Sequence, residues 1–392
     1  MNPNEEKTKT RNRLYIIIAI LTVVSAIAIG VLLHALRTDP GWREVTVSPG
    51  TPLSAASSLR FYFQVQSQYG GKDFRSVTRT YTEAAVRAYA LFDTLAAHEG
   101  ITGLYAVNAA PGETLKVEPE LYEAFRLMEE SSSRALYLAP VYAVYDNLFL
   151  SSDDLLAKQY DPYYDPDTAA YFAELLTFLK DPAHIRLELL GDNKVVLHLS
   201  EAYRRFAAEN GISVFLDFYW MKNAFFLDLI GDRIRADGYT KGYLVSQEGW
   251  VLCLDDSGDG YDYKLPASPG AAHAEALMHY TGPAGIICLK NYTADTVYDD
   301  YYFAYSSDNF ATAYIDPADG FYKSAVPELL LYSDRASCAQ LLLAACRLMI
   351  REEFDAAEAK TLSEEGLYAV FYEKNSLCHY GPAVFTESAV SP

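Results

Sequence analysis

The feature that most constrains this chain is a predominantly apolar run from Leu14 to Leu36, LYIIIAILTVVSAIAIGVLLHAL, which contains no Asp, Glu, Lys or Arg. A helix of that length crosses the hydrocarbon core of a bilayer, which is roughly 30 Å thick. Four cations precede the run, at Lys7, Lys9, Arg11 and Arg13. Because short basic segments stay in the cytoplasm, we predict a cytoplasmic tail at 1–13, a single transmembrane anchor at 14–36 in the plasma membrane, and an extracytoplasmic C-terminal domain.

A cleaved secretory signal peptide is the alternative interpretation of this run. Its apolar region is usually about 7–15 residues long and ends at a small-residue cleavage site. The run here is longer, no such site follows it, and no Cys lies near its end to carry a lipid. These observations favour an uncleaved helical anchor.

The charge of the chain limits its partners. Its formal net charge is −20, from 32 Lys and Arg residues against 52 Asp and Glu residues. Nucleic acids and anionic lipid surfaces both attract basic patches. We therefore expect no nucleic acid partner. The expected partners are an extracytoplasmic protein and, through residues 14–36, the membrane.

Beyond the anchor, the sequence predicts a linker at 37–57, rich in Pro, Gly, Ser and Thr, and one large domain at 58–392. Helical periodicity predicts helices at 82–100, 117–132, 168–180 and 336–354. Apolar runs predict strands, among them a hairpin at 185–200 and the segment SVFLDF at 213–218. Helices and strands interleave without strict alternation, which indicates a mixed α+β fold.

The five cysteines are odd in number and form no Cys-x-x-Cys pair, so we predict that no disulfide framework holds the fold together. They are Cys253, Cys288, Cys338, Cys346 and Cys378. Two of them, Cys338 and Cys346, lie in an apolar helical run. This position favours buried structural thiols over a metal or redox site.

Local motifs for known chemistry are weak. No Gly-rich phosphate loop, His-Glu-x-x-His or Gly-x-Ser-x-Gly occurs. The segment Asp255–Gly260 resembles the start of a calcium loop, but the twelfth position is Pro266 rather than a bidentate Glu, which favours a polar turn. The 32 tyrosines cluster at 160–164 and 298–305, where they either stack a planar ligand or cover strand faces and interfaces.

Five segments, read in order, carry a resemblance to a known family. They are LYAVNAAPGETLKVEPELYEAFRLMEE at 104–130, IRLELLGDNKVVLHL at 185–199, SVFLDFYWMKNAFFLD at 213–228, TAYIDPADGFY at 312–322 and LLLYSDRASCAQLLLAACRLM at 329–349. In order and spacing they are similar to the ApbE-type FAD:protein FMN transferases, once called thiamine-biosynthesis lipoproteins. The resemblance implies one ApbE-like mixed-sheet domain that is attached to the membrane and works outside the cytoplasm.

The resemblance also implies where a flavin nucleotide would bind. The positions that match the family's binding motifs are Asn108, Asp217, Tyr219, Trp220, Asp228 and Asp316. Two of these, Asp217 and Asp316, are what remains of the family's catalytic site. FAD and Mg²⁺ are implied as cofactors only if the family's activity is retained.

Several positions depart from the family's pattern. Gln340 and Ala344 stand where the family has a carboxylate and a hydroxyl that hold Mg²⁺, and this hard cation prefers charged oxygen ligands. Tyr219 and Trp220 replace two glycines that let the backbone approach the ligand, and Asn223 stands at a lysine position. We therefore predict that the metal site is lost.

Two further motifs are also altered. Leu136–Ala139 replaces the family's Phe-Asp-Pro-Thr, and Ala313 replaces the histidine before Ile-Asp-Pro. The favoured function is therefore a non-catalytic relative, a pseudoenzyme that binds a protein or small ligand through its aromatic-rich former cleft, or acts in assembly near flavin or redox proteins. The alternatives are an active Mg²⁺-dependent FAD:protein FMN transferase and an unrelated anchored ligand- or protein-binding domain.

Overall fold

The computed structural model describes residues 40–66, 71–265, 276–292, 301–306, 309–373 and 376–387. The predicted membrane anchor at 14–36 lies outside these residues. Among the residues that the structure describes, no helix combines the length and the apolar character needed to cross a membrane.

The domain is a mixture of helices and antiparallel strands, as the predicted α+β class requires. The helices are α1 (Gly71–Phe92), α2 (Leu104–Ala109), α3 (Pro119–Glu130), α4 (Ala139–Phe149), α5 (Asp154–Ala157), α6 (Pro166–Leu179), α7 (Glu201–Glu209), α8 (Lys222–Ala236), α9 (Cys338–Met349) and α10 (Ala356–Glu364). The strands are β1 (Gly41–Val45), β2 (Leu59–Val65), β3 (Leu115–Lys116), β4 (Ile185–Gly191), β5 (Lys194–Leu199), β6 (Gly242–Ser246), β7 (Val251–Cys253), β8 (Gly260–Leu265), β9 (Ala276–Thr281), β10 (Ala284–Lys290), β11 (Tyr302–Ser306), β12 (Asn309–Thr312), β13 (Glu328–Ser333), β14 (Tyr368–Glu373), β15 (Ser376–Tyr380) and β16 (Val384–Glu387).

The main sheet is 8-stranded, in the order β1-β2-β6-β7-β10-β13-β14-β15. Its neighbouring strands pair antiparallel, as β2 does with β6. In β2, Leu59, Phe61, Phe63 and Val65 alternate with more exposed residues, so one face of the strand is apolar. The central strand β13 is buried at every residue because both of its faces are covered.

The two faces of the main sheet are covered by different elements. Helices α1, α8 and α9 pack on one face and form the larger core with the inward residues of the strands. The small sheet β16-β9-β8 covers part of the outer face, where Met278 and Leu265 meet Ile286 and Leu330. Tyr243 and Val245 of β6 pack against this second core, and it leaves the outer face of β1 and β2 uncovered.

Several sequence predictions agree with the structure. The hairpin is formed by β4 and β5, and its turn residues Asp192 and Asn193 have φ values of 50° and 59°, as a tight two-residue hairpin turn requires. The predicted helix at 336–354 contains α9. All five cysteines are free, and Cys338 is fully buried while Cys346 is partly buried.

Other predictions need correction. Within the predicted linker, Gly41–Val45 forms β1 and pairs with β2, so the fold begins before residue 58. The helix expected at 82–100 is α1, which ends at Phe92 because the Asp93 carboxylate accepts the Leu95 amide at 2.9 Å and bonds His98 at 2.8 Å. The segment SVFLDF is not a strand, because side-chain contacts replace the ladder hydrogen bonds there.

Candidate functional site

Asn108 holds the backbone that leads into the candidate site. It lies in α2 and is only 5% exposed. Its Oδ1 accepts hydrogen bonds from the amides of Phe215 and Leu216, each at 2.9 Å, and its Nδ2 donates to the Leu216 carbonyl at 2.9 Å. Both acceptor positions of the amide oxygen are thus used by the chain itself. Asn108 therefore fixes the segment before Asp217.

Asp217, Tyr219 and Trp220 come together in one tight turn before α8. The Asp217 amide donates to the Leu136 carbonyl at 3.0 Å, and the Asp217 Oδ1 accepts the Tyr219 amide at 2.9 Å. Burial raises the pKa of the Asp217 carboxyl above its usual value. Tyr219 has a φ of 45°, in the left-handed region that favours glycine. The turn therefore keeps a glycine-type conformation while carrying a bulky ring.

The ring of Tyr219 is held in place from three sides. It stacks on Tyr142 with centroids 4.3 Å apart and meets the edge of Tyr301 at 5.2 Å. Its hydroxyl donates to the Asp146 carboxylate. A side chain with these contacts is a fixed part of the site rather than a movable gate.

Trp220 is fixed as firmly as its neighbour. It is 2% exposed, its Nε1 donates to the Tyr142 hydroxyl at 3.1 Å, and its ring centroid lies 5.0 Å from that of Tyr314. We call Tyr142, Tyr219, Trp220, Tyr301 and Tyr314 the aromatic cluster. Two of its rings, those of Tyr219 and Trp220, stand at the positions where the resemblance implies glycines.

The first turn of α9 contains one of the two positions where the resemblance implies a metal ligand. Gln340 instead completes a capping box: its Oε1 accepts the Ser337 amide at 3.0 Å, and its own amide donates to the Ser337 hydroxyl at 3.2 Å. Ala344, one turn later, is 6% exposed and offers only a methyl group. A helix-capping amide and a methyl group do not fit Mg²⁺, which takes charged or strongly polar oxygen ligands.

Asp228 stabilises the same end of α9. Its two carboxylate oxygens accept the amides of Cys338 and Ala339, each at 2.8 Å, which satisfies amides that the helix leaves unpaired. Burial raises the pKa of this carboxyl to about 6, although the two amide bonds oppose the rise. The carboxylate is therefore occupied by the protein's own backbone.

The contacts of Asp316 differ from those of Asp217, Asp228 and Asn108. Its Oδ1 accepts the Ala318 amide and its Oδ2 accepts Lys323, both at 2.8 Å. Gly320 closes this turn with a φ of 82° and packs so tightly on Leu176 that an added Cβ would lie 3.0 Å from it. Asp316 thus serves a turn in which the partly buried Lys323 neutralises its charge.

An open cleft of about 640 Å³ adjoins the aromatic cluster on the outer face of β1, β2 and β6. Glu44, Tyr62 and Tyr243 form one row across β1, β2 and β6 and line its floor. Tyr301 and Tyr314 belong both to its wall and to the aromatic cluster. We call this cavity the polar cleft.

A rigid carboxylate lies in the wall of the polar cleft. The Asn223 Nδ2 donates to both oxygens of Glu248, at 2.8 and 3.0 Å, and the Asn223 Oδ1 accepts the Ser58 hydroxyl at 2.8 Å. Burial raises the pKa of Glu248 above its usual value. Sequence reasoning missed Glu248 and Ser58. The cleft residues are dispersed from position 44 to position 314 and form no local motif.

No protein-family model and no curated protein matches this sequence. Solved structures do match its fold. The ApbE protein of Thermotoga maritima matches with a TM-score of 0.57 and 10% identity, over 86% of this chain and 96% of that one. The flavin transferase ApbE of Vibrio cholerae matches with a TM-score of 0.55 and 12% identity, over 87% and 96%. The apo flavinyl transferase ApbE of Pseudomonas stutzeri matches with a TM-score of 0.51 and 14% identity, over 88% and 94%.

This chain therefore has the fold of the ApbE flavin transferases over nearly all of the domain. The resemblance inferred from five sequence segments is confirmed at the level of the fold. At these identities the match defines the architecture, and the chemistry of the site has to be argued from the residues themselves.

Proposed function

We propose that this chain is a non-catalytic relative of the ApbE flavin transferases that works by binding rather than by transferring FMN. The observation that carries the proposal is the fixed position of the Tyr219 and Trp220 rings in a turn whose backbone conformation suits glycine. Large rings exclude a ligand sterically wherever glycines would admit it. The polar cleft beside these rings remains open for a ligand.

The second support is the donor set on α9. Transfer of FMN from FAD to a protein hydroxyl breaks the diphosphate and releases AMP, and such chemistry depends on charge stabilisation at the phosphates. Gln340 and Ala344 supply no negative oxygen to hold a divalent cation there. The proposal therefore assigns no step to a metal or to a flavin.

A flavin titration tests the proposal. With the full-length protein, FAD and Mg²⁺ should produce no change in the flavin absorption spectrum, no AMP release and no flavin fluorescence on any protein band. The Vibrio cholerae flavin transferase ApbE serves as the positive control. Magnesium-dependent FAD binding with AMP release and a fluorescent protein product would show an active transferase and defeat the proposal.

A matched set of variants separates the two defects. Gln340→Asp with Ala344→Thr should raise Mg²⁺-dependent FAD affinity only slightly, because Tyr219 and Trp220 still fill the space. Adding Tyr219→Gly and Trp220→Gly should raise it far more than the sum of the two pairs, since the groups share one site. A large gain from the first pair alone would show that the rings do not exclude the ligand.

We further propose that residues 14–36 anchor the protein in the plasma membrane with the domain outside. Protease added to spheroplasts should digest the domain and leave an epitope fused before Leu14 intact, whereas lysed cells should lose both. The apolar run and the cations before it support this topology. A domain that resists protease until lysis would contradict it.

A further inference from the structure

We propose that the polar cleft is a binding site for a neutral oligosaccharide. The inference rests on the proposed function, since it names the class of ligand that a non-catalytic binding protein of this kind would take. The cleft volume of about 640 Å³ lies within the range of roughly 300–1,000 Å³ that is typical of small-molecule sites. It offers room for a short chain of sugar rings.

The charges of the cleft select a neutral ligand. Among the residues that the structure describes, two carboxylates, Glu44 and Glu248, and two cations, Arg60 and Lys290, line it, so the formal charges of this described lining cancel. A nucleotide or another multiply charged anion needs an excess of cations, and the chain as a whole carries a net charge of −20. Positive and negative side chains in equal number provide hydrogen-bond donors and acceptors without a net attraction for ions.

The chemistry of the lining matches a saccharide. A sugar ring presents apolar C–H faces and a periphery of hydroxyls that donate and accept hydrogen bonds. Tyr62 and Tyr243 pair across β2 and β6 with ring centroids 5.0 Å apart, and Tyr301 and Tyr314 form part of the wall, so aromatic surface is present on two sides. Tyrosine combines an apolar ring with a polar hydroxyl, which suits such a ligand.

Glu248 supplies an oriented acceptor. The Asn223 amide bonds both of its oxygens and is itself held by Ser58, so the carboxylate is fixed before a ligand arrives. The Ser246 side chain also bonds this carboxylate, which adds to its fixed orientation. Fixing the group in advance reduces the entropy lost on binding.

The test is isothermal titration of the full-length protein in phosphatidylcholine nanodiscs, because glycoside detergents would compete for the cleft. The probes are maltotriose, cellotriose, mannotriose and triacetylchitotriose. At least one should bind saturably. Glu248→Gln and Tyr243→Ala should each weaken that binding by at least about tenfold, which equals a loss of about 1.4 kcal/mol.

Tyr105→Ala is the matched control, since Tyr105 is an exposed tyrosine on α2 that does not line the cleft. It should leave the affinity unchanged within about twofold. Glu248→Gln is nearly isosteric, so it keeps the test decisive if Tyr243→Ala fails to fold.

Any of three results would overturn the inference. None of the four saccharides binds, both cleft variants leave the binding intact, or ATP binds in the same cleft more tightly than any saccharide. Absence of saccharide binding together with absence of FMN transfer would refute this inference alone and leave the non-catalytic assignment standing.

Discussion

Leu342→Asp should remove most of the folded protein, with a loss of at least ~4 kcal/mol in the free energy of unfolding. Leu342 lies in α9 and is 0% exposed, as its neighbour Leu341 is. The substitution both empties apolar volume and places an unpaired charge in the core. A loss of that size approaches the whole stability of an ordinary domain, which is about 5–15 kcal/mol.

The measurement is denaturant unfolding of the wild type, Leu342→Asp, Leu342→Ala and Ala173→Asp. Leu342→Ala removes only the apolar contacts and should cost about 3 kcal/mol. Ala173→Asp introduces the same charge at an exposed position of α6 and should change stability by less than about 1 kcal/mol. Equal stability of the two Asp variants would show that α9 is not packed as described.

Asn108→Ala should cost about 3 kcal/mol or more, although the removed side chain is small and polar. It would leave the amides of Phe215 and Leu216 and the carbonyl of Leu216 without the partner they have now. Each buried group left unpaired costs about 1–3 kcal/mol. The segment that carries Asp217, Tyr219 and Trp220 would lose its support at the same time.

The matched control is Asn147→Ala. Asn147 is exposed on α4 and its side chain bonds only carbonyls of its own helix, so its loss should change stability by less than about 0.5 kcal/mol. Thermal unfolding and the near-ultraviolet circular dichroism of the aromatic cluster give the two readouts. An Asn108→Ala protein that matches the control in both would refute the positioning role of Asn108.

The order of the elements and the family of folds were readable from the sequence for a physical reason. The hairpin β4–β5, the strands β6 and β13 and the helix α9 each carry their signal locally, as apolar periodicity and turn residues within one short segment. Tyr219 and Trp220 were found differently, through the family resemblance at 213–228, where they replace two glycines. The departures from the family's pattern at Gln340, Ala344, Tyr219 and Trp220 were also visible in the sequence, because each concerns a single residue.

The tertiary structure alone decided the features that depend on distant residues. The apolar segment at 213–218 has the composition of a strand, but the amides of Phe215 and Leu216 bond the side chain of Asn108, more than 100 positions earlier, instead of a neighbouring strand. The strand β1 was hidden in a segment rich in turn-forming residues, because its pairing with β2 supplies the stability that its own composition lacks. The polar cleft joins Glu44, Asn223, Glu248 and Tyr314 through sheet pairing and hydrogen bonds. No local pattern in a sequence records such a juxtaposition, because long-range contacts are set by packing and not by the neighbours of a residue along the chain.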